Sequence, residues 1–353
     1  MERRALLKGA VGGEILAVAE LGEGRAAGER LVQTVRGPVA TARLGTTLMH
    51  EHIFVVDPDV LQNYPDEWGD EGRRIAAAVE RLNQLKSRGV DTIVDLTVLG
   101  LGRNIARIRR VAQRTQLQIV VATGIYTYRD LPFSFRFRGP GTAAGGPEFL
   151  TDLFVRDIVE GIAGTGVKAG ILKCATDEPG LTGDVERILR ATARAHRRTG
   201  VPISTHTNAA RRVGLEQQRI FREEGVDLSR VVIGHSGDTI DLRYLEELIG
   251  NGSSIGMDRF GIDTILPFED RVNIVAEMCR RGHAGKMVVS QDAACYIDWF
   301  PEQSLSKVLP RWNYLHIHGD VIPALKKKGV SDEHLHAMLV ENPRRILEPV
   351  TSY

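Results

Sequence analysis

Thr46-Thr47-Leu48-Met49-His50-Glu51-His52 reads as a short buried strand running into a polar end. Side chains alternate faces along a strand, so His50 and His52 point one way and Glu51 the other. Two imidazoles on one face of a rigid strand can hold one metal ion. Taken alone the pair is weak evidence, because most His-x-His pairs are not ligands. Its meaning depends on what the rest of the chain brings to the same place.

Working outward, the same kind of segment recurs. β-branched runs lie at Thr47–His50, Thr92–Thr97, Ile119–Thr123, Ala169–Cys174, Pro202–Thr207, Val231–His235, Ser254–Asp258 and Lys286–Asp292. Amphipathic segments of helical period, such as Ile75–Arg88 and Val185–Thr199, separate them. Several of these close on Gly-Val, at Gly89-Val90, Gly200-Val201 and Gly225-Val226. The glycine accepts the left-handed conformation that stops a helix, and the valine opens the next strand. Ahead of them, Leu31–Val35 and Val39–Ala42 flank Arg36-Gly37-Pro38 as a small hairpin. Eight strands alternating with helices predict an α/β fold: a single (β/α)8 TIM barrel with a short N-terminal hairpin and a long loop after strand 8. A doubly wound open sheet is the alternative, but no Gly-x-Gly-x-x-Gly follows the early strands.

Composition limits the function classes. The chain of 353 residues is 42% hydrophobic, enough for a large core, and its formal charge of +1 supplies no field for nucleic acid or anionic lipid. Three scattered cysteines (Cys174, Cys279, Cys295) make neither a disulfide framework nor a thiolate zinc site. No apolar run approaches the roughly 20 residues of a membrane span. Small molecules are the expected partners, with no nucleic acid and no membrane. At the N-terminus, Arg3-Arg4-Ala5-Leu6-Leu7-Lys8 looks like a twin-arginine export motif, with small residues at Ala26-Ala27-Gly28. Glu14 and Glu20 interrupt what should be the uncharged stretch of a signal. The favoured division is a tail over residues 1–30 and a barrel over 31–353, in a cytoplasmic protein, with export the alternative.

Barrels of this kind place their chemistry at the carboxyl ends of the strands. The first strand ends in His50 and His52, the fourth gives Lys173, the fifth His206, the sixth His235 and the eighth Asp292. Each alone has an ordinary reading, as a hydrogen-bonded core histidine or a helix cap. Polar groups from five strands are hard to explain by packing, and together they outfit a metal site. Lys173, in Gly170-Ile171-Leu172-Lys173-Cys174, stands in an apolar setting where an unpaired ammonium is costly. A salt-bridged or snorkelling lysine is one reading. The sharper one is an amine that reacts with carbon dioxide to give a carbamate, whose two anionic oxygens can bridge two cations.

The set His50-x-His52, Lys173, His206, His235 and Asp292 resembles the binuclear-metal amidohydrolase superfamily, and within it the phosphotriesterase-like lactonases. The matching stretches include Gly124-Ile125-Tyr126-Thr127-Tyr128, Ser204-Thr205-His206-Thr207, Ile233-Gly234-His235, Met257-Asp258-Arg259-Phe260-Gly261 and Ser290-Gln291-Asp292. The resemblance runs from about Thr34 to Leu347. It implies two divalent ions per chain (zinc foremost; cobalt, manganese or iron also compatible) and carbon dioxide to convert Lys173 to N6-carboxylysine. His50, His52 and Asp292 would hold the more buried ion and His206 and His235 the more exposed one, with carboxylated Lys173 and a hydroxide bridging them. Asp292 would accept the proton of the attacking hydroxide, Tyr126 would orient a lactone ring, and Arg259 would shape the entrance. Tyr128, Trp299, Phe260 and Ile297 are the expected pocket residues.

The implied activity is opening of N-acyl homoserine or related lactones, the chemistry of quorum quenching, with promiscuous hydrolysis of organophosphate triesters. A dedicated phosphotriesterase and a non-catalytic binding barrel are the alternatives. The family expectation is a homodimer. Ala293 and Ala294 fall where relatives often carry bulkier residues or cysteine, which leaves acyl-length preference open.

From Asp292 to about Trp312 there are few helical signals, and Tyr296, Ile297, Trp299 and Phe300 suit either a lid or a loop packed on the barrel. His316-Ile317-His318 is read as structural hydrogen bonding, and His334 and His336 as residues that diverge on a helix. His196 and His283, among arginines, are expected on the surface. Phe133, Phe135 and Phe137 are read as pocket lining or a dimer contact, and the glycine-rich stretch from Gly139 to Pro147 as a turn-rich loop.

Overall fold

The hairpin forms with its first arm one residue shorter and its second arm two residues earlier than expected: β1 (Leu31–Thr34) pairs antiparallel with β2 (Gly37–Ala40), and Gly37 leaves the turn at φ 109°. It is seen in a computed structural model describing residues 30–353; the twin-arginine-like stretch falls outside the described residues. Val35 N–H donates to Ile119 O at 2.9 Å, and Val32 joins the inner apolar cluster, so the hairpin plugs the amino-terminal end of the barrel.

The barrel strands are β3 (Thr47–Val55), β4 (Thr92–Asp95), β5 (Gln118–Gly124), β6 (Ile171–Thr176), β7 (Ile203–Thr207), β8 (Val231–Ile233), β9 (Ser254–Met257) and β10 (Met287–Val289). All pair in parallel, and a further strand, β11 (Ala294–Ile297), lies on the far side of β3. β11 is the continuation of β10 after a break at residues 290–293: β10 pairs with β9, and β11 pairs with β3. Within the break, Asp292 N–H donates to His50 O at 3.1 Å and His52 N–H to Ala293 O at 2.9 Å. These bonds close the barrel, so the eighth strand is one strand in two pieces.

Four strands, β4, β8, β9 and β10, stop earlier than the apolar pattern predicts. β8 ends at Ile233 because His235 turns to φ 60°, and β10 ends at Val289 because the chain turns to φ 54° at Asp292. A left-handed residue cannot continue a ladder. β3 is longer than expected, and its register against β4 shifts between Leu48 and Glu51, a bulge that re-aims the side chains on either side.

The helices follow the predicted stripes. The one at Glu71–Ser87 is capped by Asp70, whose carboxylate accepts from Arg73 N–H at 2.7 Å, and buries Ile75, Ala78, Val79, Leu82 and Leu85. Truncating Leu82 to alanine would cost about 2–5 kcal/mol. The helix Gly183–Thr199 starts at the Thr182 cap and ends at Gly200, left-handed at φ 72°. His196 corrects the sequence reading: it is fully buried, bonded through Nδ1 to Val201 O at 2.7 Å and through Nε2 to the Tyr353 hydroxyl at 2.8 Å. It continues the buried stripe Val185, Ile188, Leu189, Thr192, and that period outweighs its arginine neighbours.

The region after Asp292 also differs. It carries β11 and a seven-residue helix, Glu302–Val308, too short for a periodic signal to stand out. His316 is buried and bonded to Asp320 at 2.8 Å, as its structural reading expects. Phe133 and Phe137 stack at 6.0 Å on the surface and do not line the cavity described below. Among the described residues no helix is long and apolar enough to cross a membrane.

Candidate metal centre

The strand ends bring His50, His52, Lys173, His206, His235 and Asp292 around one point. Asp292 is the hub. Its Oδ1 lies 3.4 Å from His50 Nε2 and 3.2 Å from His52 Nε2, while its Oδ2 lies 3.7 Å from His235 Nε2 and 3.2 Å from Arg259 Nε. The His50 and His235 rings stack at 4.6 Å, and His206 meets His235 edge-on at the same separation.

Each imidazole is held by its other nitrogen. His50 Nδ1 donates to Asp258 Oδ2 at 2.9 Å, and His235 Nδ1 to Asp258 Oδ1 at 3.0 Å. His52 Nδ1 meets Thr97 Oγ1 at 2.9 Å, and that hydroxyl donates to Asp95 at 2.6 Å. His206 is turned round: its Nε2 bonds Asp177, and its Nδ1 faces Tyr126 and Arg259, each at 3.4 Å. A carboxylate can only accept, so the proton sits on the tethered nitrogen and the lone pair of the other faces the centre.

Lys173 is 1% exposed and its Nζ touches His50 Nε2 at 3.0 Å and Thr205 O at 3.4 Å. Burial lowers it to about 8, although Asp292 and Asp258 oppose the shift. Burial likewise lowers His50, His235 and, to about 4, His206, which keeps these imidazoles in the neutral form that binds metals. For Asp292 burial acts upward, but His50, His235 and His52 outweigh it and hold the carboxyl well below its usual range.

These residues fit a pair of cations. Donor atoms of His50, His52 and Asp292 lie within 4.8 Å of one another, and so do those of His50, His235 and Asp258. The second group is better read as orientation, since Asp258 takes the imidazole nitrogens that face away from Asp292. Among the described residues the buried Lys173 amine has no carboxylate within ion-pair distance, and a carbamate there would supply anionic oxygens that imidazoles lack.

A cavity of about 290 Å³ opens on the six side chains. Tyr126, Arg259, Ile297 and Trp299 line it, together with Ile262, Ile265, Phe300, Leu309 and Trp312. The segment after strand 8 therefore forms one wall. Phe260 corrects the expectation: it is buried in the core, while its neighbour Arg259 takes the cavity side. Tyr128 is not part of that lining; its hydroxyl bonds that of Tyr126, and its ring lies 5.1 Å from His206.

The sequence reading did not assign roles to Asp258, Thr97, Asp95, Asp177 or Asp238. Asp238 accepts from Arg259 at 3.0 Å and from Arg271 at 2.7 Å, which fixes the guanidinium beside Asp292. Asp258 closes the apolar run Ser254–Asp258 just as His235 closes Val231–His235, so the rule that found the histidines also points to it.

Residues 30–347 match the profile of the phosphotriesterase family. A phosphotriesterase homology protein of Mycobacterium tuberculosis is 66% identical over 322 residues, covering 91% of this chain and 99% of that one. An aryldialkylphosphatase of Saccharolobus solfataricus is 43% identical over 305 residues, covering 86% and 94%. Among solved structures, the phosphotriesterase from Mycobacterium tuberculosis superposes with a TM-score of 0.91 at 66% identity, covering 92% of this chain and 100% of that one.

Proposed function

Because the chain belongs to the phosphotriesterase family of ester hydrolases, we propose that it opens lactones, N-acyl homoserine lactones or relatives of them, and hydrolyses organophosphate triesters as a secondary activity. The observation that carries the lactone reading is the cavity itself: one polar end, where the four histidines, Lys173 and Asp292 meet Arg259 and Tyr126, and walls beyond it that are apolar apart from Thr264. Such a cavity suits a neutral ring ester with an acyl chain.

His50, His52 and Asp292 would hold one divalent ion, and His206 and His235 the other, with carboxylated Lys173 between them. When bound, the pair would make a nucleophilic oxygen available near neutral pH and polarise the carbonyl or phosphoryl oxygen under attack. Asp292 is the proton acceptor in this reading, and it returns the proton to the leaving alkoxide. Arg259, clamped by Asp238, donates to that carboxylate and holds its aim. Burial, with Tyr128 next to it, raises the Tyr126 phenol well above its usual range, so it stays protonated and can donate to the ring ester.

A planar lactone carbonyl under attack becomes tetrahedral, as a phosphorus centre already is, so one site can serve both substrates. The 43% relative named an aryldialkylphosphatase favours the second reading, a dedicated phosphotriesterase. A panel of lactones and triesters on one preparation, with metal quantified, separates the two. Lactone kcat/KM above that for triesters is expected; the reverse order removes the lactonase reading. A homodimer, and a tail over residues 1–30 outside the barrel, belong to the same proposal. Light scattering at working concentration tests the former.

A further inference from the structure

Asp292 stands at φ 54°, in the left-handed region, at the break between β10 and β11. An aspartate tolerates that region better than most residues but does not prefer it to an extended strand. Something must therefore hold the break open. Its own peptide groups are engaged: the N–H donates to His50 O at 3.1 Å, and the carbonyl accepts from Trp312 Nε1 at 3.0 Å. The flanking peptide groups are taken by a side chain from across the barrel seam.

Glu51 is fully buried and points away from the two histidines that flank it. Its Oε1 accepts from Gln291 N–H at 3.2 Å and its Oε2 from Ala293 N–H at 2.9 Å. Two N–H groups on either side of a left-handed residue form a small anion-binding concavity, and the carboxylate occupies it with both oxygens. Each oxygen accepts one backbone N–H, so the cleft needs an acceptor at both positions, which a carboxyl group supplies and an amide does not.

We infer that Glu51 is a positioning residue for Asp292: its carboxylate clamps the break in strand 8 and so sets where the Asp292 carboxylate stands relative to His50, His52 and His235. The inference rests on the proposed role of Asp292. Glu51 is not a ligand and touches no substrate, because both its oxygens are committed on the outer side of β3. The middle residue of His50-x-His52 thus has a role of its own. Two inward side chains offer lone pairs, and the outward one between them fixes the residue they converge on.

The test uses the full chain loaded with metal and whichever ester the wild type turns over. Glu51→Gln keeps the shape but opposes one N–H with an amide N–H. Glu51→Asp keeps the charge but is one methylene short of reaching both. Expected are a fall in kcat of about 30-fold or more for Glu51→Gln and a smaller fall for Glu51→Asp, with KM within about 2-fold and metal content unchanged. Formate should restore at least 5-fold of kcat to Glu51→Ala by occupying the vacated anion site. A crystal structure of Glu51→Gln should show Asp292 displaced, a readout independent of any substrate. A folded, metal-loaded Glu51→Asp or Glu51→Gln with wild-type kcat overturns the inference, and so does an unmoved Asp292. If Glu51→Gln does not fold, Glu51→Asp decides alone. Failure of the wild type to open lactones would count against the proposed substrate class and leave this inference standing on the ester it does hydrolyse.

Discussion

Asp258→Asn is the sharpest probe of how the imidazoles are aimed. The Asp258 carboxylate is 1% exposed and accepts three hydrogen bonds: His235 N–H at 2.7 Å and His235 Nδ1 at 3.0 Å on Oδ1, and His50 Nδ1 at 2.9 Å on Oδ2. Asparagine offers one acceptor oxygen. If that oxygen keeps the two His235 bonds, the amide NH2 faces His50 Nδ1. His50 must then move its proton to Nε2, the nitrogen that lies beside Lys173 and Asp292, and loses its inward lone pair. A hydrogen bond to a charged partner is worth about 1.5–3 kcal/mol, which is about 10- to 100-fold in a binding constant. Loss of an orienting partner typically costs about 10- to 100-fold in metal affinity. Both routes lead to the same range. The assay is competition with a chelator of known affinity, beside thermal melts of metal-free and metal-loaded protein. Metal affinity should fall about 10- to 100-fold while the metal-free melting temperature drops by only a few degrees. Affinity within 2-fold of wild type would falsify the tautomer argument. Asp258→Ala is the wrong probe: it leaves three buried N–H groups without an acceptor, at about 1–3 kcal/mol each, comparable with the whole stability of a domain.

Three other expectations rest on the same structure. Asp292→Asn should lower turnover by orders of magnitude while the circular dichroism spectrum stays native, because the proton acceptor is gone; a folded variant with normal rates removes that role. Lys173→Ala should lose metal and regain part of it with added short carboxylates, whereas full occupancy without additive counts against the carbamate. Burial lowers His196 below its ordinary 6.5, with Val201 O opposing the shift, so the unfolded chain binds a proton that the folded one refuses. Stability from this group is whole above the unfolded value and is lost as pH falls through it. The melting temperature should therefore drop between pH 7 and pH 5 more in the wild type than in His196→Gln, and parallel curves would show that His196 is silent.

The parts of this molecule that were legible in its sequence are those written in periodic burial. Eight apolar runs, the helical stripes between them and the Gly-Val stops are each enforced locally, so each can be read locally. The six inward polar residues were legible for a related reason: a polar group at the end of an apolar run has no place in a core. That rule would also have reached Asp258, and the stripe through Val185, Ile188, Leu189 and Thr192 would have put His196 inside. Its arginine neighbours mask that period in the sequence. The break at Asp292 belongs to a different class. Nothing in Ser290-Gln291-Asp292-Ala293 demands a left-handed residue; the conformation is imposed by Glu51, Trp312 and the seam with β3, which are separated from that stretch by up to 242 positions in the chain. Arg259 is similar, since its aim is set by Asp238 and, through that carboxylate, by Arg271. Such residues are placed by partners that meet only once the barrel has closed. Local sequence therefore names the groups that do chemistry at this rim more readily than those that hold them in place.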